Sequence, residues 1–108
     1  MILKDKVEEC AKEIRRIAGI YQCGGDMNDA RQRVNAALNE LGHMNRKKTD
    51  IQIVYWNQLL LLLKSHGFNC SDTRWLSVIK YARAKVSARR AGAVMKQKND
   101  EHKNHSSK

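Results

Sequence analysis

The sequence predicts an all-α protein, a small four-helix fold with a three-helix core and a long basic C-terminal helix. Pro is absent and Gly is limited to six of the 108 residues, so the usual helix breakers are nearly missing. A chain of this length is near the commonest size of one domain, and no linker divides it. We therefore expect residues 1–96 to form a single helical domain and the polar residues 97–108 to form a disordered tail.

The first two helices follow from apolar spacing and from glycine turns. Helix one is predicted over residues 2–21, where apolar side chains recur at alternating intervals of four and three: Leu3, Val7, Cys10, Ile14, Ile17 and Tyr21. Gly24 and Gly25 end it, because glycine reaches the backbone conformations that close a helix. Asp26 is suited to cap helix two, which Gly42 stops. The short connection makes the two helices antiparallel neighbours.

Helix three is predicted to lie at the centre of the bundle. Thr49, followed three residues later by Gln52, is typical of a capping box at its start. Gly67 closes it. Its apolar residues cover nearly the whole circumference: Ile51, Ile53, Val54, Tyr55, Trp56 and Leu59 to Leu63. A helix that is apolar all round must be surrounded by protein.

Helix four is predicted to begin at a Ser71 cap and to run to about Lys98. It has two apolar seams on opposite sides. The seam that should face the core consists of Trp75, Ile79, Ala82, Val86 and Ala93. The other is mostly alanine: Tyr81, Ala84, Ala88, Ala91 and Met95. Because the core seam weakens after Val86, we expect the first turns of helix four to pack against the core and its distal half to project away from the core.

The net charge of +10 is concentrated in the last third of the chain. Residues 1–73 carry eleven Lys or Arg against nine acids, whereas residues 74–108 carry ten against two. Such a basic segment repels itself unless it meets an anionic partner.

Cysteine usage and hydropathy indicate a cytoplasmic protein. Cys10, Cys23 and Cys70 form no CxxC pair, and residues 4–6 are charged where a signal peptide needs an apolar core. The longest apolar run, Leu59 to Leu63, is far shorter than the roughly 20 residues that cross a bilayer. We expect no membrane partner.

The sequence does not predict an enzyme, because no catalytic constellation stands out. Glu8, Glu9 and Glu13 fall on the exposed side of helix one, where a solvated charged face explains them better than acid or base catalysis. His66 and Cys70 are four residues apart, but a zinc site usually needs four ligands. Phosphate-loop and dinucleotide-binding glycine motifs are missing from the sequence. We expect neither a metal nor another cofactor.

The positive evidence is electrostatic and predicts nucleic-acid binding through helix four. Its basic residues form two columns suited to phosphate contacts. The predicted contact residues are Arg74, Lys80, Arg83, Lys85, Arg89, Arg90, Lys96 and Lys98, with a smaller cluster at Arg46, Lys47 and Lys48. Base reading would fall to the start of the helix, at Asn69, Ser71, Thr73 and Arg74. A helix-turn-helix fits poorly, because the turn and the helix after it are both too long.

A protein partner is the alternative. In that interpretation the chain is a helical inhibitor or adaptor of mobile-element type, whose basic helix docks on an acidic groove of another protein. Both partners are anionic, so the composition is compatible with either. A homodimer through the alanine seam is a further option, although like charges in the flanking columns would oppose a close parallel pair.

Overall fold

Four α-helices make up the fold. The computed structural model describes residues 3–43, 48–67 and 72–106. Over these ranges it contains no strand, and the helices are α1 Leu3–Gln22, α2 Met27–His43, α3 Thr49–Gly67 and α4 Thr73–Ser106. The predicted all-α, four-helix fold is thereby confirmed.

The turn between α1 and α2 depends on its two glycines. Gly24 and Gly25 have φ angles of 148° and 101°, in the region that favours glycine. At Gly25 a Cβ would also lie 3.0 Å from the Tyr21 ring, so a side chain there would be strained. Asp26 then caps α2, since its Oδ1 accepts a hydrogen bond from the amide of Asn28 at 2.9 Å.

The starts of α3 and α4 differ from the sequence prediction. Gln52 does not complete a capping box with Thr49. Its Nε2 donates to the carbonyl of Gly42 at 3.0 Å and so ties the start of α3 to the end of α2. The cap of α4 is Asp72, whose Oδ1 accepts from the amide of Trp75 at 2.9 Å. The predicted cap, Ser71, lies outside the described residues.

α1 and α4 form the central pair of the bundle. Each packs against the other three helices, while α2 and α3 lie on opposite flanks and meet near Gly42. Ala11 and Ala18 of α1 are fully buried, and such small side chains let neighbouring helices approach closely. α4 contributes Ile79 and Val86 to the same core. The prediction that helix three occupies the centre is therefore wrong.

α3 buries one face, although it is apolar all round. Leu59 and Leu63 are fully buried in the core. On the opposite side of the helix, Val54 is 54% exposed and Leu61 is 62% exposed. The neighbouring helices cover α3 from one side, which leaves the other apolar side to solvent.

α4 packs on the body for about six turns and then extends past it. The predicted core seam is buried at Ile79, Ala82, Val86 and Ala93. Packing thus continues beyond Val86, where the sequence predicted that it would weaken. The helix also reaches Ser106, so residues 97–106 are helical where the sequence predicted disorder. This stretch contains neither Gly nor Pro, and its Lys, Gln and Glu residues favour helix.

Candidate nucleic-acid interface

Besides Arg90, which is exposed but bonded to Asn57, five described cationic side chains of α4 face solvent. We call these five the α4 cations: Lys80, Arg83, Lys85, Lys96 and Lys98. No carboxylate pairs with them among the side chains that the structure describes, which in α4 end at Asn99. The ion pairs found there both lie within α1, joining Lys6 to Glu9 at 3.6 Å and Arg16 to Glu13 at 2.6 Å. The charge of the α4 cations is therefore available to a partner.

The alanine seam runs between the α4 cations, as predicted. Ala84, Ala88 and Ala91 are all exposed. At 100° per residue, Lys80, Arg83 and Lys98 lie along one edge of this seam, whereas Lys85 and Lys96 lie along the other. Because alanine has no bulk, a partner surface can approach the α4 backbone between two rows of positive charge.

Arg74, one of the predicted contact residues, has a structural role. Its Nε donates to the carbonyl of Tyr21 at 2.7 Å, and its Nη2 donates to the carbonyl of Gly25 at 2.5 Å. Carbonyls at the end of a helix favour a cation. The side chain thus connects the start of α4 to the turn after α1 through two of its five N–H donors.

Arg90 and Arg89 reach across to neighbouring helices. The Nε of Arg90 donates to Oδ1 of Asn57 on α3. Arg89 is half-buried, and its Nη2 donates to Oδ1 of Asn39 on α2 at 2.6 Å. The same guanidinium lies 5.8 Å from the centre of the Trp56 ring. Burial is the main cause that lowers the pKa of Arg89.

The smaller predicted cluster is described in part. Lys48 is exposed immediately before α3, while Arg46 and Lys47 lie outside the described residues. Asn69 and Ser71, two of the predicted base-reading residues, also lie outside the described residues.

A cationic junction joins α2 to α4 at Tyr81. Arg31 of α2 and Lys85 of α4 both lie over the Tyr81 ring, 5.6 and 5.5 Å from its centre. Asn35 Nδ2 donates to the Tyr81 hydroxyl at 2.8 Å. Arg31 thus extends the cationic surface onto α2. Arg31 was not among the predicted contact residues, because the pattern of α2 shows which residues are exposed but not which helix lies beside them.

Three of the described carboxylates lie close together on α1 and α2. A groove of about 250 Å³ is formed by α1 and α2 alone, and Glu9, Glu13 and Glu40 lie along it. A hydrogen bond from Arg16 lowers the pKa of Glu13, so this carboxylate stays charged to lower pH. These carboxylates lie on α1 and α2, on a surface that also carries Lys6 and Arg16.

A second groove, of about 400 Å³, lies between α3 and α4. Its apolar part is Leu60 and Leu61, and its cationic rim is Lys64, Arg83 and Arg90. Leu61 is among the most exposed apolar residues of the described chain. Apolar patches with a polar rim are typical of protein contact surfaces.

Comparison with known proteins gives no family for this chain. No protein-family model, curated protein or solved structure matches it. Within the described ranges, no three His, Cys, Asp or Glu side chains come together in a way that could hold a metal ion. Among the four helices, over the residues described, none is long and apolar enough to cross a membrane. The cationic surface of α4 is the feature from which we infer function.

Proposed function

We propose that the protein binds nucleic acid by contacting the phosphate backbone with the α4 cations. One observation supports this best. These five side chains are exposed on both edges of the alanine seam, and no carboxylate among the side chains described, up to Asn99 in α4, pairs with them. A polyanion would neutralise them and release its own counterions. Arg31 would add a contact from α2 beside Lys85.

The dimensions of α4 suit a nucleic-acid helix. From Lys80 to Lys98 the helix rises about 27 Å at 1.5 Å per residue, which matches about eight base pairs of a duplex. Phosphate contacts position a protein without reading base sequence. Arg74, which was predicted to read bases, is held by backbone carbonyls. We therefore propose binding with little sequence preference.

The Lys80→Gln/Lys98→Gln variant tests the proposal. It removes two phosphate contacts and should weaken binding of a fluorescent duplex by about tenfold at low salt, measured by anisotropy. The control Lys12→Gln/Arg33→Gln removes the same net charge from exposed positions on α1 and α2. Its affinity should stay within about twofold of the wild type. An equal loss in both variants would contradict a role for α4.

A protein partner is the second candidate function, and the exposed apolar side of α3 favours it. Val54 is 54% exposed, and Leu61, which is 62% exposed, lies next to the cationic rim of the α3–α4 groove. An amphipathic helix with acidic flanks would cover the apolar residues and pair with the rim. In that case the protein is an adaptor or inhibitor.

Substitutions on the two surfaces separate the candidates. Val54→Ser/Leu61→Ser should abolish capture of a partner that resists nuclease, without changing duplex affinity. Lys80→Gln/Lys98→Gln should weaken duplex binding without changing the capture of that partner. If nuclease-treated capture is the same for the wild type and for Val54→Ser/Leu61→Ser, the second candidate is wrong.

A further inference from the structure

An open pocket of about 470 Å³ lies where the end of α2, the start of α3 and the middle of α4 meet. Arg89 and Lys96 line it, with Trp56 and two glycines, Gly42 and Gly92. A Cβ at Gly92 would meet no atom within 4 Å, so the α4 side of the pocket is open to solvent. A ligand can enter from that side.

Arg89 is held in this pocket without a counter-charge. Its guanidinium lies over the Trp56 ring and donates one hydrogen bond, to Asn39 Oδ1. No carboxylate among the described side chains forms an ion pair with it. Removing a cation from water without an opposite charge costs free energy, and an anion bound in the pocket would reduce that cost.

Lys96 brings a second positive charge to the same pocket. It follows Arg89 by seven residues, which places it on the same side of α4 two turns further on. The end of α2 and the start of α3 also meet here, and their partial charges have opposite signs. These helix ends offset each other, so the positive charge of the described lining comes from the side chains of Arg89 and Lys96, beside His43.

We infer that this pocket binds a phosphate group between Arg89 and Lys96. The planar guanidinium offers two parallel donors to phosphate oxygens, and the lysine ammonium adds a flexible point charge. Asn39 and Trp56 hold the guanidinium in place, so little side-chain ordering remains to be done on binding. The inference rests on the proposed nucleic-acid binding, because that proposal is the reason for choosing phosphate among the possible anions.

Inorganic phosphate is the probe that tests the pocket without nucleic acid. Nitrogen-15 labelled full-length protein is titrated with phosphate against chloride at constant ionic strength. The amides of Gly42 and Gly92 and the Nε–H of Arg89 should shift along a saturating curve. Shifts that grow linearly with phosphate, or that spread evenly over the surface, would overturn the inference.

Lys96→Ala and Lys98→Ala form a matched pair for this titration. Both lysines are exposed on α4, but only Lys96 lines the pocket. Lys96→Ala should weaken phosphate binding by about fivefold or more, whereas Lys98→Ala should leave it unchanged. Equal effects would contradict the site. Arg89→Gln should abolish saturation, and its melting curve shows whether the fold is kept.

Two oligonucleotides distinguish the sources of the phosphate. If the pocket takes a terminal phosphate, a 5′-phosphorylated strand will bind more tightly than the same strand with a 5′-hydroxyl, and Lys96→Ala will remove the difference. If it takes a backbone phosphodiester, both strands will bind equally and both will lose affinity in Lys96→Ala. Saturable phosphate binding combined with an unaffected Lys80→Gln/Lys98→Gln variant would contradict the proposed function of α4 and leave the pocket intact.

Discussion

At the scale of single residues, the basic side chains of α4 divide into structural and exposed groups. Arg74 donates to two carbonyls beyond its own helix, whereas Lys80 is exposed. Both belong to one basic run, and the sequence predicted the same role for both. The difference arises because the end of α1 lies opposite Arg74, which is a tertiary contact that no local pattern records.

Replacing Arg74 should therefore affect stability more than binding. Arg74→Ala leaves two carbonyls without their charged donor, and we expect the free energy of unfolding to fall by about 1 to 3 kcal/mol. Lys80→Ala should change it by less than about 0.5 kcal/mol. Urea denaturation followed by circular dichroism measures both. Similar losses in the two variants would contradict the structural role of Arg74.

Titration of the Cys10 thiol should make the stability of the protein depend on pH in the alkaline range. Burial, followed by the charges of Glu40 and Glu13, raises its pKa from 9.0 to about 12. Above pH 9.0 the unfolded chain loses the thiol proton while the folded chain keeps it. The free energy of unfolding should then decrease as the pH rises from 9.0 towards 12, by at most about 1.4 kcal/mol per pH unit.

Urea denaturation on both sides of pH 9.0 checks this effect. Cys10→Ala should show a smaller alkaline loss than the wild type, because the buried titrating group is gone. Cys23 is exposed, so Cys23→Ala should follow the wild type and serves as the control. An unchanged alkaline loss in Cys10→Ala would show that other groups cause it.

At the scale of the helices, the two sides of α3 should respond differently to truncation. Leu59 is fully buried and Leu61 is 62% exposed. Leu59→Ala should lower the free energy of unfolding by about 2 to 5 kcal/mol, since it leaves a cavity in the core. Leu61→Ala should change it by less than about 0.5 kcal/mol. Thermal or urea denaturation distinguishes them, and equal losses would place the whole circumference of α3 in the core.

The sequence predicted the existence and order of the helices well, since each has a clear apolar period or a glycine at its end. It did not predict which helices form the centre. The apolar run of α3 suggested complete burial, whereas the buried alanines of α1, Ala11 and Ala18, gave little hydropathy signal. The burial of a helix depends on which helices pack closely against it. Small residues such as Ala11 and Ala18 allow this close packing.

At the scale of the whole molecule, the number of exposed α4 cations predicts how binding responds to salt. Each phosphate contact contributes a log–log slope of about −0.9, so five α4 cations should give a slope of about −4 to −5. Lys80→Gln/Lys98→Gln should reduce its magnitude by about 1.8. Duplex affinity measured over a range of salt concentrations gives both values. A slope near zero in the wild type would contradict backbone contacts.

The candidate site was predictable in part at this scale. The exposed cations and the alanine seam follow from the sequence of α4 alone. The phosphate pocket does not, because Arg89, Trp56 and Asn39 come from three helices whose arrangement the sequence left open. The junction of Arg31 with Tyr81 has the same origin. The sequence pattern therefore predicted where the basic residues lie, whereas the packing of the helices determines which of them contact other helices and which stay exposed.

The positive charge of the protein is concentrated on α4, whereas the carboxylates of the groove between α1 and α2 lie on other helices, so the charge is unevenly distributed. In the field of a polyanion an uneven charge distribution experiences a torque, which turns α4 forward before any contact forms. Fewer encounters then begin in the wrong orientation. The rate of capture should accordingly rise as ionic strength falls and the field reaches further into solution.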